Sequence, residues 1–276
     1  MLLLEAVVLG VVQGLTEFLP VSSTAHLVLV PWALGWESPL LNSLGFDVAL
    51  HMGTLAAVLV YFREDWARLA RAFASSIPKI FGEEKFGPWE RLAWLIIAAT
   101  IPAAVLGLLF EEYVESTLRH PLIIAFMLSF VAVLMMLAER GARKREGRPV
   151  EGMTLPHAVV IGLAQASALI PGVSRSGATI TAGLWAGYRR DDAARFSFLL
   201  STPIILGACL HRLGSVADSF KAGEGAVIAA GVAASAVSGF LAIAFLVSYL
   251  KKRPLDVFAW YRIAFAAAAA AFFFAK

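Results

Sequence analysis

From Gly225 to Leu250 the chain runs 26 residues without one charged side chain. A bilayer's hydrocarbon core, about 30 Å thick, is crossed by about 20 apolar residues in a helix, so this segment is long enough to span. Five further stretches read the same way: Phe46 to Phe62, Leu92 to Phe110, Pro121 to Ala138, Ala194 to Leu210 and Leu255 to Ala275. None alternates with period two, so the spans are predicted as helices rather than barrel strands. Pro102 and Pro203 fall inside spans, where neighbouring helices and hydroxyls satisfy the freed carbonyls. With 59% hydrophobic and 16% charged residues, the composition departs from that of a soluble domain in both directions. The 19 Phe and 7 Trp exclude disorder, and a single cysteine, Cys209, excludes an intrachain disulfide. Met1 to Leu4 lacks a basic region, and Glu5, Gln13 and Glu17 interrupt the first apolar run, so no cleavable signal peptide is expected.

Two other apolar stretches carry polar residues in their middle. Ala6 to Leu34 holds Gln13, Glu17, Pro20, Ser22, Ser23, Thr24 and His26. Pro156 to Gly187 holds Gln165, Pro171, Gly172, Ser174, Arg175, Ser176 and Thr179. Apolar, then polar with a proline break, then apolar again predicts a re-entrant helix-loop-helix hairpin whose tip lies in protein or water. Gly10, Gln13, Val21 and Ser22 match Gly162, Gln165, Val173 and Ser174 at a constant offset. Each hairpin precedes three spans, an odd number, so the halves, approximately 1–150 and 151–276, are predicted to form an inverted repeat within one membrane domain, 1–276. The expected architecture is all-α and polytopic, six transmembrane helices plus two re-entrant hairpins.

The basic residues orient this scheme. Most of the 23 lysines and arginines fall in four places: Arg63 to Arg91, Arg140 to Arg148, Arg189 to Arg195 and Lys251 to Arg253. The other side receives Arg119, Arg212, Lys221 and Lys276, beside Glu111, Glu112 and Glu115. The positive-inside bias puts the first set in the cytoplasm and both chain ends outside. It does so only if both hairpins re-emerge on the side they entered. Arg140 to Arg148 then reads as a loop near anionic lipid, not a nucleic-acid site.

The tips carry the chemistry. Gln13 and Glu17, four apart, share a helix face and offer oxygen donors to a divalent cation. Ser22, Ser23 and Thr24 are hydroxyl nucleophiles, phosphate donors or simply helix caps. His26 is a general base, a general acid or itself a nucleophile. In the second tip Arg175 stands out, because a guanidinium at membrane depth costs about 2.5–3.5 kcal/mol on insertion scales and needs a partner. Its fork suits phosphate, Gly172 and Gly177 permit close backbone approach, and Ser174, Ser176 and Thr179 add hydroxyls. An arginine facing a carboxylate binds an anion and a cation together, and a diphosphate with a divalent metal fits that description. Asp47 and His51 share a helix face and read as residues of the outer boundary or as support for the first tip. Asp256 and Arg262 read as lying near the cytoplasmic interface or as packed against other helices.

At Gln13-Gly-Leu-Thr-Glu-Phe-Leu-Pro-Val-Ser-Ser-Thr-Ala-His26 and Pro171-Gly-Val-Ser-Arg-Ser-Gly-Ala-Thr179 the chain resembles the bacterial undecaprenyl-diphosphate phosphatase family, also known for bacitracin resistance. Ala194-Arg-Phe-Ser-Phe-Leu-Leu-Ser201 resembles it too, and the likeness spans essentially the whole chain. The resemblance implies a multi-pass enzyme of the bacterial plasma membrane that removes the terminal phosphate of undecaprenyl diphosphate and so recycles the lipid carrier of cell-wall synthesis. It implies a divalent cation, Mg or Ca, and a site open to the outer face. The family's acidic pair falls on Gln13 and Glu17, its serine and histidine on Ser23 and His26, and its arginine on Arg175. Gln13 stands where some members carry Glu, which leaves Glu17 as the one carboxylate of that motif.

The expected reaction is phosphoryl transfer from a polyprenyl diphosphate lipid that enters sideways from the bilayer. The diphosphate would be held by Arg175, Ser174 and Ser176, with the cation on Glu17 and Gln13. Ser23 with His26 as base, His26 itself, or water remain open as nucleophile. A polyprenyl-phosphate flippase also suits an inverted repeat. An intramembrane peptide or ester hydrolase suits it less, since there is no Gly-x-Ser-x-Gly elbow and no use for Arg175. No nucleic-acid partner is expected, and a homodimer is left open.

Overall fold

Two apolar stretches stop being helical where proline and strained serines interrupt them. In the computed structural model, which describes residues 1–214, 216 and 223–275 (of residues 44, 111, 112, 115 and 116 the backbone alone), α1 (Leu2–Phe18) ends before Pro20. The chain resumes as α2 (Ser23–Leu34). In the second half α7 (Leu155–Ser167) and α8 (Arg175–Trp185) flank a break containing Pro171 and Gly172. Both restarts use the same device. Ser22 and Ser174 adopt φ of 77° and 71°, which side-chain-bearing residues rarely take, and their hydroxyls cap the new helices by accepting from the amides of Ala25 and Gly177. At 1.5 Å per residue, α2 and α7 rise about 18–20 Å, well short of a 30 Å hydrocarbon core.

The remaining helices are α3 (Leu44–Tyr61), α4 (Arg63–Ser76), α5 (Pro88–Thr117), α6 (Pro121–Ala142), α9 (Arg190–His211), α10 (Gly225–Leu250) and α11 (Asp256–Ala275). Five of them, α5, α6, α9, α10 and α11, are long and apolar enough to cross a bilayer. The stretch expected as the remaining span, Phe46 to Phe62, meets that standard only jointly with α4, from which α3 is bent by 79°. Among the described residues the count is therefore five or six. α4 is amphipathic: Arg63, Glu64, Asp65 and Arg68 ride on it while Leu69 is buried. Lys221 and Lys276 lie outside the described residues, as do the side chains of Glu111, Glu112 and Glu115.

The long helices are apolar on both faces. α6 turns Ile124, Leu128, Val131 and Met135 inward and Phe126, Phe130, Val133 and Leu137 outward. α10 exposes Val237, Leu241 and Phe245, and α5 exposes Ile101, Val105 and Leu108. Apolar faces of this extent are not left to water. This is a multi-pass membrane protein.

Since lipid supplies no hydrophobic drive between helices, close backbone approach holds the bundle together. α1 lies on α10 and, reciprocally, α7 lies on α5. A Cβ added at Gly14 would sit 2.0 Å from Ser238 Oγ and 2.4 Å from the Ser235 carbonyl oxygen, and one at Gly162 would sit 2.4 Å from the Ala99 carbonyl oxygen. Gly14→Val is expected to lower the unfolding temperature in detergent, by about 1–3 kcal/mol of stability for overpacking. Gly152→Ala, where nothing lies within 4 Å, should leave it unchanged. Equal behaviour of the two variants would contradict this packing. At the arginine-rich end, the fully buried Glu139 accepts from both Arg190 Nε (3.0 Å) and the Leu255 amide (3.2 Å), tying α6 to α9 and α11. Arg143 pairs with Asp256 beside it.

Candidate active site

Glu17 occupies the last turn of α1, and Ser23 and Arg175 are the first residues of α2 and α8. The two breaks bring them together. Arg175 Nη2 donates to Glu17 Oε1. Glu17 Oε2 accepts from Ser23 Oγ at 2.5 Å and from Gln13 Nε2 at 3.0 Å. Glu17 is 6% exposed, and the guanidinium and these donors offset the cost of burying a carboxylate. Because α2 and α8 both start here, their unpaired amides and positive dipole ends add to the guanidinium. The chemistry of this arrangement suits an anion, with a carboxylate-bound hydroxyl on the wall.

Arg262 sets this geometry from behind. It is completely buried on α11 and donates to the carbonyls of Pro20 (3.2 Å), Gly172 (2.7 Å) and Val173 (3.0 Å), and to those of Met127 (3.5 Å) and Leu128 (3.1 Å) on α6. One planar fork thus satisfies the loose backbone of both breaks. Ser176 Oγ adds a direct tie, donating to the Leu19 carbonyl at 3.1 Å.

In front of the pair lies a cavity of about 180 Å³ lined by Glu17, Ser22, Ser23, Thr24, Ser174 and Arg175, with His51 and Gln165. Its apolar wall, Ala103, Leu169, Ile204 and Ala208, also lines a second hollow of about 430 Å³ between α5 and α9. That hollow is otherwise bounded by groups such as Ala104, Gly107, Leu108 and Pro203. A polar chamber and an apolar groove therefore share a wall.

Of the residues singled out from sequence, Glu17, Ser22, Ser23, Thr24, Ser174 and Arg175 face the cavity. Gln13 lies beneath it, fully buried, with Oε1 lacking a hydrogen-bond partner among the described residues. Four others are turned elsewhere. His26 is engaged through both ring nitrogens: Nδ1 donates to the Ser22 carbonyl (2.7 Å), so Nε2 accepts from Tyr261 Oη (2.8 Å), and Phe265 stacks on the ring at 4.2 Å. Thr179 Oγ1 bonds the Arg175 carbonyl at 2.7 Å and Ser197 Oγ at 2.6 Å. Ser176 holds Leu19. Gly172, at φ 95°, passes within 2.6 Å of the Ile124 carbonyl at its missing Cβ and gives its own carbonyl to Arg262.

Three residues that read blandly from sequence, Arg262, His51 and Gln165, lie at the breaks or line the cavity. Arg262 lies at the breaks rather than near an interface. His51 enters the cavity: Nδ1 donates to the Asp47 carbonyl at 2.7 Å, and Nε2 stands 3.5 Å from Glu17 Oε2. Asp47 is paired with Arg119 at 3.0 Å. Gln165 is visible in the sequence as a polar residue of the second hairpin and as the match to Gln13, and that register already points at the cavity.

The family model described as bacitracin resistance protein BacA matches residues 6–268. The chain belongs to this family. Among its relatives is an undecaprenyl-diphosphatase of Rubrobacter xylanophilus, 52% identical over 270 residues, covering 98% of this chain and 97% of the relative. Undecaprenyl-diphosphatases of Pelobacter propionicus and Thermodesulfovibrio yellowstonii are 48% and 46% identical, covering 95% and 94% of this chain and 93% of each relative.

Proposed function

We propose that this BacA-family chain is a membrane phosphatase that hydrolyses undecaprenyl diphosphate to undecaprenyl phosphate and inorganic phosphate, returning the lipid carrier to cell-wall synthesis. One observation carries the reading: Arg175 and Ser23, from two separate broken helices, meet on the single carboxylate of Glu17 beside a chamber that shares its wall with an apolar groove. The relatives named above support the substrate. The polyprenyl tail lies in the groove between α5 and α9, and the diphosphate lies in the chamber.

Arg175 rests on Glu17. An entering diphosphate gives the guanidinium a partner of higher charge and frees the carboxylate. Glu17 Oε2, already holding the Ser23 hydroxyl, takes its proton as Oγ bonds to the terminal phosphorus. The bond from that phosphorus to the bridging oxygen breaks, and this oxygen leaves on the lipid monophosphate with the proton from Glu17. Water then attacks the phosphoserine, its proton passing through Glu17 to the departing Oγ. Arg175 and the amides at the starts of α2 and α8 stabilise the charge spread over the phosphoryl oxygens, which dominates such reactions. His26, locked to Ser22 and Tyr261, holds α2 against α11.

The donor set fits a divalent cation only as an ion shared with substrate. Among the described residues no three His, Cys, Asp or Glu converge, whereas Glu17 Oε1, which Arg175 gives up to the diphosphate, and the unpartnered Gln13 Oε1 are hard oxygen donors. A Mg or Ca held by these two would draw its other ligands from phosphate and water, and would neutralise phosphate charge. Purified full-length protein should release phosphate from the C55 diphosphate, stop with chelator and resume on adding Mg or Ca. Phosphate found on Ser23 after acid quench, with a loss of about 10³-fold or more in Ser23→Ala, is the expected result for the covalent route. Full turnover of Ser23→Ala would assign the attack to water.

The membrane scheme has its own support. The short helices α2 and α7, the matched strained serines and the reciprocal seating of α1 on α10 and α7 on α5 favour two re-entrant hairpins in an inverted repeat of six spans. With the arginine-rich loops in the cytoplasm of a bacterial cell, the chamber faces outward across the plasma membrane. In a Cys209→Ala background, Arg145→Cys should react with impermeant maleimide only from the cytoplasmic side and Ser38→Cys only from outside. The reverse pattern would invert the scheme.

A further inference from the structure

Gln165 is 3% exposed, lines the chamber, and has no hydrogen-bond partner among the described residues for either amide atom. A buried primary amide in that condition is uncommon, because each unpaired atom has given up water for nothing. Its repeat mate shows the reason. Gln13 comes three residues after Gly10 and donates to Glu17, one turn further on; Gln165 comes three after Gly162, but one turn further on stands Leu169. The second hairpin keeps the amide and replaces its carboxylate with a hydrocarbon. Its helix is not loosely placed either, since the Gly162 contact seats α7 directly on the α5 backbone. A polar group that enters the chamber is placed to supply that partner.

The walls say which part of the substrate that is. Leu169 belongs to both the chamber and the apolar groove, and α7 lies against α5, which forms one side of that groove. Gln165 thus stands on the groove side of the chamber, whereas Ser23 and Glu17 come from the opposite hairpin. Resting on the proposed phosphatase reading, we infer that Gln165 is a binding residue for the lipid-proximal phosphate. Its Nε2 donates to the phosphate that stays on the polyprenyl chain, while Arg175 and Ser23 handle the phosphate that leaves.

The test uses full-length protein in detergent, with farnesyl monophosphate and inorganic phosphate as separate inhibitors of diphosphate hydrolysis. Gln165→Leu removes both unpaired atoms at similar volume, so its unfolding temperature without ligand should equal or exceed that of the parent. Farnesyl monophosphate should bind about 10- to 100-fold more weakly to it, and its thermal stabilisation by that ligand should shrink accordingly, the range expected for a hydrogen bond to a charged group. Inhibition by inorganic phosphate should be unchanged. Gln165→Asn, which keeps the amide on a shorter stem, should fall between. Equal weakening toward both inhibitors would move Gln165 to the transferred phosphate, and no weakening toward either would make it merely structural; each outcome overturns the inference. Failure of the unsubstituted protein to hydrolyse the diphosphate would instead count against the phosphatase reading itself.

Discussion

Arg175→Ala is expected to lower phosphate release by at least about 10²–10³-fold, the usual effect of deleting one charge-stabilising donor at a reacting centre. Its partner complicates the reading. Glu17 would be left buried without a cation, and breaking such a pair costs on the order of 3–5 kcal/mol, so the single variant should also unfold at lower temperature. Combining Arg175→Met with Glu17→Gln removes both charges and should restore most of the lost stability while activity stays absent. That split, read by thermal unfolding in detergent and by phosphate release, separates a catalytic pair from a structural one. Recovery of turnover in the double variant would dismiss the proposed roles of both residues. Arg175→Lys should lose less than alanine yet remain impaired, because an ammonium cannot reproduce the two-toothed fork.

Arg262→Met is the second large effect, and here the loss should be in rate more than in stability. Removing the guanidinium leaves the carbonyls of Pro20, Gly172 and Val173 without their donor, at about 1–3 kcal/mol for each that stays unsatisfied. Against this, a buried cation whose described hydrogen bonds all go to carbonyls is itself expensive, by several kcal/mol after relaxation. The terms oppose each other, so a modest drop in unfolding temperature is expected. The geometry has no such compensation. Pro20 and Gly172 belong to the breaks that carry Ser23 and Arg175, and a misplacement of about 1 Å at a reacting centre is worth about 10²-fold. Phosphate release should fall by that order. A variant with unaltered rate would mean that the breaks hold their shape without Arg262.

Why is so much of this legible in one dimension? Membrane segments announce themselves because the bilayer sets both their length and their composition. α10 is legible to the residue, and α6 and α9 differ from their expected limits by only a few positions. The two tips are legible for a related reason. Proline, glycine, hydroxyls and an arginine inside apolar runs are too unfavourable in lipid to be accidental. Glu17 and Arg175 stand out on that ground alone, whereas Ser23 is one of three neighbouring hydroxyls and is singled out only by the family resemblance. α3 is harder, because its apolar run passes straight into the amphipathic α4, and nothing in the residues between Tyr61 and Arg63 declares a 79° bend.

Hydropathy and the repeat register decide that this chain lies in a bilayer, where it breaks, and which polar groups it carries to depth, because those depend on transfer energies of residues in order. Which way each group points once there is a matter of neighbours. His26 is drawn off by Tyr261 and Phe265 of α11, His51 enters from α3, and Arg262 reaches both breaks from the far end of the chain. Gln165 is unpaired among the described residues, with Leu169, not a carboxylate, one turn beyond it in a wall that only the folded bundle assembles. Contacts between helices remote in sequence depend on packing, and packing has no one-dimensional signature.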